Sequence, residues 1–278
     1  MNSDPIMLED SRYVIYGIDF SGSQHTCSKI WITKGIINGP YLELADCYPL
    51  EDIAGKHPQD CYNALRDLIT GANASIFGMD FPLSVPLLFM DKFSDWTAFI
   101  KQFPERYSTP ENFRKSFYSL SGGKELKRIT ESKVKAPFSS YNLRLFRQTY
   151  YGICNVIHPL LNLNEARFLP MQKADVRFPW VIEICPACTL KKEKMYHSYK
   201  GKSVDKAGRR SQILDRLINM GLNVEPDYES RIIDNTPGDA LDSVIASMSV
   251  FYTLKRKKIT QCDRSDCDIY RTEGYIFS

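Results

Sequence analysis

The chain has 278 residues, with 36 Lys and Arg against 33 Asp and Glu and a formal net charge of +3. That length can bury a full core without staples, and 25% charged, 43% apolar residues with ordinary Gly and Pro usage exclude bulk disorder and collagen-like or low-complexity organisation. No apolar run approaches the ~18 residues of a membrane helix, and the polar opening Met1-Asn2-Ser3-Asp4-Pro5 is unlike a secretory signal, so the expectation is a cytoplasmic globular protein with no membrane partner.

Residues 12–20, with Tyr13-Val14-Ile15-Tyr16-Gly17-Ile18-Asp19, read as a buried strand that ends on an acid. Ser21-Gly22-Ser23 is a turn. A second strand is expected over 28–33, a turn at Lys34-Gly35, and a third strand over 36–47, which together make an antiparallel meander. Residues 57–70 read as a helix, apolar at Cys61, Ala64, Leu65 and Leu68, with Gly71 just past its end. Residues 75–80 form a fourth buried strand, again ending on an acid, and Pro82 and Pro86 stop it.

A long stretch follows before the fifth strand, expected over 179–185. One crossover helix does not need so much chain, so a helical insertion is expected at about 84–175, with helices over 95–103 and 142–161. Helices follow over 211–220 and 237–254. The last is apolar at Leu241, Val244, Ile245, Met248 and Phe251, and Thr236, Pro237 and Asp239 read as its capping box. Residues 256–278 read as a C-terminal tail. The order βββαβ…βα predicts an α/β fold: one domain over 12–255, with a mixed five-stranded sheet flanked by helices, which matches the ribonuclease-H-like architecture.

Cysteines stand at 27, 47, 61, 154, 185, 188, 262 and 267. Reduced thiols are the expectation. Cys185-Pro186-Ala187-Cys188 with Cys262 and Cys267 has only half of the spacing a zinc site needs.

Five acids sit where a strand end, a core strand or a helix face should be neutral: Asp19, Asp80, Glu183, Asp239 and Asp242. A buried ionised carboxylate is strongly disfavoured unless it is paired or ligates a metal. Lys and Arg are absent from these short segments, so a divalent cation is the natural counter-charge. An all-oxygen donor set selects Mg²⁺ or Mn²⁺. Each acid also has a plain structural reading. Asp19 and Asp80 suit turns, Glu183 suits an outward-facing strand position, and Asp239 suits a helix N-terminus. Asp239 and Asp242 lie i, i+3 on one helix face, where they repel unless a cation separates them.

Windows 114–135 and 191–210 carry +5 and +6, which leaves −8 on the rest of the chain. Such stretches suit either solvated loops or a polyanion partner. Lys124, Arg128, Lys135 and Lys200 are the candidate phosphate-binding residues, and nucleic acid, DNA or RNA, is the candidate partner. Phe138, Tyr141, Tyr150 and Tyr151 could stack on bases, although a helical stripe of aromatics reads first as core.

The segments 17–22, 78–83, 182–187 and 238–243 resemble, in order, the motifs of domain-of-unknown-function family four-twenty-nine, whose members are described as predicted nucleases with a ribonuclease-H-like fold. Arg128-Ile129-Thr130-Glu131, Ala136-Pro137-Phe138-Ser139, Tyr141-Asn142-Leu143-Arg144 and Tyr199-Lys200-Gly201 resemble further blocks of it. The Asp-x-x-Asp of the last helix is similar to that of RuvC-type resolvases. The resemblance covers roughly 12–255 and implies Asp19, Asp80, Glu183, Asp239 and Asp242 as ligands of Mg²⁺ or Mn²⁺ in a metal-dependent nuclease. Two other readings remain open on the residues: an actin-like phosphotransferase or ATPase, with Asp19-Phe20-Ser21-Gly22-Ser23 as a phosphate loop, and a nucleic-acid-binding module without catalysis.

Overall fold

The computed structural model describes residues 13–23, 26–72, 74–256 and 267–278. Its sheet has eight strands: β1 (Val14–Asp19), β2 (Trp31–Asn38), β3 (Tyr41–Pro49), β4 (Ser75–Met79), β5 (Arg167–Leu169), β6 (Trp180–Ile184), β7 (Leu222–Asn223) and β8 (Ile276–Phe277). The order is β5-β6-β4-β1-β2-β3-β7, with β8 also pairing β6. β2 is antiparallel to β1 and to β3, and every other pairing is parallel. The protein is therefore α/β with a mixed sheet, as expected. The sheet gains three short edge strands, β5, β7 and β8, which are too brief to leave a periodic signal.

The meander differs from its expectation. β2 runs straight through Lys34-Gly35, where the register shifts by a bulge, and the hairpin turns instead at Gly39-Pro40, with Gly39 at φ +56°. Gly35 is a packing glycine: a Cβ there would lie 2.7 Å from a methyl of Leu42 on the neighbouring strand. Ser28 belongs to a short helix, not to the second strand.

Thirteen helices cover the described residues: α1 (Thr26–Lys29), α2 (Glu51–Ala54), α3 (Pro58–Gly71), α4 (Trp96–Arg106), α5 (Pro110–Leu120), α6 (Ile129–Lys133), α7 (Phe146–Gly152), α8 (His158–Leu163), α9 (Pro186–Lys192), α10 (Val204–Asn219), α11 (Pro226–Asp234), α12 (Asp239–Lys255) and α13 (Cys267–Glu273). The expected helix over 142–161 is α7, a π-helical stretch Ile153–Ile157 and α8 in series. The insertion is not wholly helical, because it ends in β5 on the sheet edge.

The two cores follow from the period-2 alternation of the strands. Tyr16, Ile18, Phe77 and Met79 face one side, where α3, α4, α5 and α7 add Leu65, Phe99, Phe113 and Tyr150. Ile15, Ile76 and Ile182 face the other, where α10, α11 and α12 add Leu214, Ile232 and Ile245. Tyr141 and Tyr150 are buried and bonded to main-chain carbonyls of Lys124 and Tyr107, at 2.9 Å and 2.8 Å, so both are core residues. The segment read as a tail closes the structure instead. Residues 256 and 267–278 are described, and within them α13 packs on α4 and α6 while β8 pairs with β6.

Cys27 pairs with Cys61, and Cys185 with Cys188, whereas Cys47 and Cys154 are free. That differs from the all-thiol expectation. Cys262 and the Cys267 side chain lie outside the described residues.

α12 crosses β1 and β4 at two glycines that are register partners, Gly17 and Gly78. A Cβ at Gly17 would stand 2.0 Å from the Ser243 carbonyl oxygen and 2.3 Å from the Ser247 nitrogen. At Gly78 it would meet a Val250 methyl at 2.5 Å. This close approach sets the height of α12 over the sheet. Because backbone atoms obstruct the new methyl at Gly17, Gly17→Ala is expected to cost at least the ~1–3 kcal/mol of overpacking, read as a lower urea midpoint at unchanged slope.

Candidate functional site

Parallel strands bring their carboxyl ends to one edge of the sheet, which is where α/β sheets place ligands. β1 ends on Asp19. Asp80 follows β4, and its amide donates to the Ile18 carbonyl at 3.0 Å. Glu183 on β6 is level with Met79 on β4. α12 supplies Asp239 and Asp242 from its first turn, behind Gly238 in a left-handed conformation at φ +86°. Gly238, not Thr236, is the N-cap, so the expected capping box does not form. Thr33 on β2 and Ser243 on α12 share a hydrogen bond of 2.7 Å that fixes this turn against the sheet.

Asp19, Asp80, Asp239 and Asp242 interact, and Glu183 acts on Asp80 as well. Asp19 is 8% exposed, and its carboxyl is held well above the usual range by burial, then by Asp242, Asp80 and Asp239, with Lys200 opposing. Asp80 is pushed up to about 8 by burial first and by Asp242 next. Asp239 is raised by burial, against Lys200. Among the described residues, no hydrogen bond or ion pair reaches the carboxylates of Asp19, Asp80 or Asp239.

Asp242 is paired. Lys200 Nζ lies 2.6 Å from its Oδ2, and the Tyr199 hydroxyl donates to its Oδ1. Burial would lower the pKa of Lys200, but Asp242 and Asp19 outweigh it and raise it. The Lys200 ammonium thus interacts with Asp19, Asp80, Asp239 and Asp242 together. Its segment is held by buried Arg210, which donates to the carbonyls of Tyr199 at 2.8 Å, Gly201 at 3.0 Å and Ile233 at 2.6 Å.

Glu183 departs from its expected role as a metal ligand. Arg128 grips it with two donors, at 2.5 Å on Oε1 and 2.8 Å on Oε2, and the Leu83 amide adds a third at 3.0 Å. Arg128, expected to bind phosphate, is fully buried and bonded to carboxylates. It also binds Glu131 at 2.8 Å and the Glu273 carbonyl at 3.0 Å. Glu273 in turn accepts from the Leu87 and Ile129 amides at 2.8 Å and 2.7 Å. This satisfied buried network ties β6, the insertion and the C-terminal helix together. Of the other basic candidates, Lys124 and Lys135 are exposed and Lys200 is half-exposed.

Two contributors are not among the expected site residues. Gln148 on α7 donates from one amide nitrogen to the Phe20 carbonyl at 2.6 Å and the Asp80 carbonyl at 2.5 Å, which clamps both strand ends from the insertion. Tyr199 is the other; its hydroxyl orients Asp242.

The donors match a hard divalent cation in kind, since they are all carboxylate oxygens with buried Asp19 unpartnered. Their present arrangement holds an ammonium. Among the described residues, no group of three or more His, Cys, Asp or Glu side chains is placed to hold a metal ion. No family model, curated protein or solved structure matches the chain.

Two outcomes follow. Removing Arg128 strands Glu183 and Glu131, so Arg128→Ala is expected to cost about 3–5 kcal/mol in urea denaturation. Asp80 binds its proton more tightly folded than unfolded. Without added metal, its contribution to stability is therefore present at acid pH and is lost as pH rises toward about 8. Asp80→Asn is expected to melt a few degrees above wild type at pH 8.5 and level with it near pH 4, read by thermal melts in EDTA.

Proposed function

We propose that the protein is a divalent-cation-dependent nuclease of ribonuclease-H-like fold that hydrolyses phosphodiester bonds in DNA or RNA. The observation that carries this reading is the surplus of carboxylate at the sheet edge: buried Asp19 and Asp242 and half-buried Asp80 and Asp239 interact, with Lys200 bonded to Asp242 and Lys29 acting on Asp239. The central order β3-β2-β1-β4-β6, with β2 antiparallel, agrees with the proposed fold. So do the ordered segments that resemble family four-twenty-nine.

In this reading Asp19, Asp80, Asp239 and Asp242 hold Mg²⁺ or Mn²⁺, and Glu183 stays with Arg128 as a structural anchor. A bound ion supplies Lewis-acid stabilisation of a phosphate oxygen and lowers the pKa of a bound water. The chain's own groups do the positioning. Gln148 fixes the backbone from which Asp80 and Phe20 depart. The Tyr199 hydroxyl holds Asp242 in one orientation. Lys200 Nζ presents N–H donors to charge that develops on a phosphate or leaving oxygen.

Cleavage of single-stranded, duplex and branched DNA and RNA in Mn²⁺ or Mg²⁺ tests the reading. Turnover is expected in metal, with loss in EDTA and a drop of at least about 10²–10³-fold in Asp19→Asn. No cleavage of any substrate, or full activity in Asp19→Asn, contradicts it. ATP hydrolysis in place of strand cleavage points to the phosphotransferase alternative.

A further inference from the structure

Two of the acids, Asp80 and Asp242, border a cleft of about 340 Å³ that Glu131 and Glu183 also line. That volume lies near the lower end of the ~300–1,000 Å³ span of small-ligand sites, so it suits one compact group and not a length of polymer. Asp80, Asp242 and Lys200 line it, as do Phe138 and Tyr196. Tyr196 is 51% exposed, a large ring left in solvent, and Phe138 is half-buried.

Each of these two rings carries a cation. The Arg144 guanidinium sits 5.4 Å from the Phe138 centroid, and the Lys191 ammonium sits 5.4 Å from the Tyr196 centroid. Lys191 also reaches the Lys135 carbonyl at 3.5 Å, which brings a second exposed lysine to the same place. Flat apolar rings with positive charge over them suit a ligand that is itself flat, uncharged and flanked by anions. The sugar–phosphate strand carrying a nucleobase has that chemistry. A base inside a duplex is stacked on both faces and cannot enter such a cleft without leaving the stack.

We propose that this cleft takes one unpaired nucleobase of a nucleic-acid strand, stacked against Phe138 or Tyr196, with Arg144, Lys191 and Lys135 carrying the neighbouring phosphates. The inference rests on the nuclease reading above and names its substrate class: single-stranded or locally unpaired nucleic acid.

The test is fluorescence anisotropy on the full chain, with Ca²⁺ in place of Mn²⁺ to suppress turnover. The probes are a labelled oligothymidylate, a strand of the same length made of abasic residues, a blunt duplex, and ATP as competitor. The oligothymidylate is expected to bind about 5- to 100-fold more tightly than the abasic strand. Phe138→Ala or Tyr196→Ala is expected to remove most of that ratio, with the thermal midpoint unchanged, and Tyr196→Phe to keep it. Equal affinity for the abasic strand, duplex binding as tight as that of the single strand, or ATP binding without strand binding overturns the proposal. The two readings fail separately. Base-dependent strand binding with no cleavage in Mn²⁺ supports the cleft assignment and refutes the nuclease. Cleavage with no dependence on the base does the reverse.

Discussion

Negative charge brought together out of water is the constraint around which this molecule is arranged. Asp19, Asp80 and Asp239 each hold a proton more tightly than usual, first because burial disfavours the ionised form and then because neighbouring carboxylates add to the cost of ionising. A fold gains nothing in stability from such a cluster; it persists when something else supplies positive charge. Lys200 supplies one unit here, at 2.6 Å from Asp242. The imbalance that remains is what a doubly charged ion would remove.

Arg128 and Glu183 show the opposite solution within the same protein. One guanidinium serves two buried carboxylates, Glu183 and Glu131, its Nε, Nη1 and Nη2 each find an oxygen, and all three side chains are buried. Such a pair fixes geometry. It anchors β6 to the insertion and to the C-terminal helix beside the acids, whose own positions depend on how closely α12 rests on Gly17 and Gly78. Rigid neighbours and an unbalanced centre are what a preorganised electrostatic site requires.

Much of this was legible in the residues. β1, β4 and β6 announce themselves as apolar runs, and α12 as a helical stripe, so the topology that converges Asp19 and Asp80 could be drawn in advance. The second hairpin could not be placed, because Gly35 looks like a turn residue until Leu42 is seen packed against it. β5, β7 and β8 carry too few residues for any period. Glu183 stood out as the lone charge in an apolar strand, yet its partner Arg128 is 55 residues away, in a stretch whose basic character reads as surface. The role of Lys200 was half visible: its charge suggested a phosphate, and only the fold shows that it lies against Asp242.

The measurement that reaches the centre of this account is a crystal structure of the protein grown with Mn²⁺, with anomalous scattering recorded at the manganese edge. The account predicts an anomalous peak ligated by Asp19, with Asp80 or an α12 carboxylate beside it and the Lys200 ammonium moved off Asp242. An empty anomalous map, with Lys200 still bonded to Asp242 at saturating Mn²⁺, would contradict it.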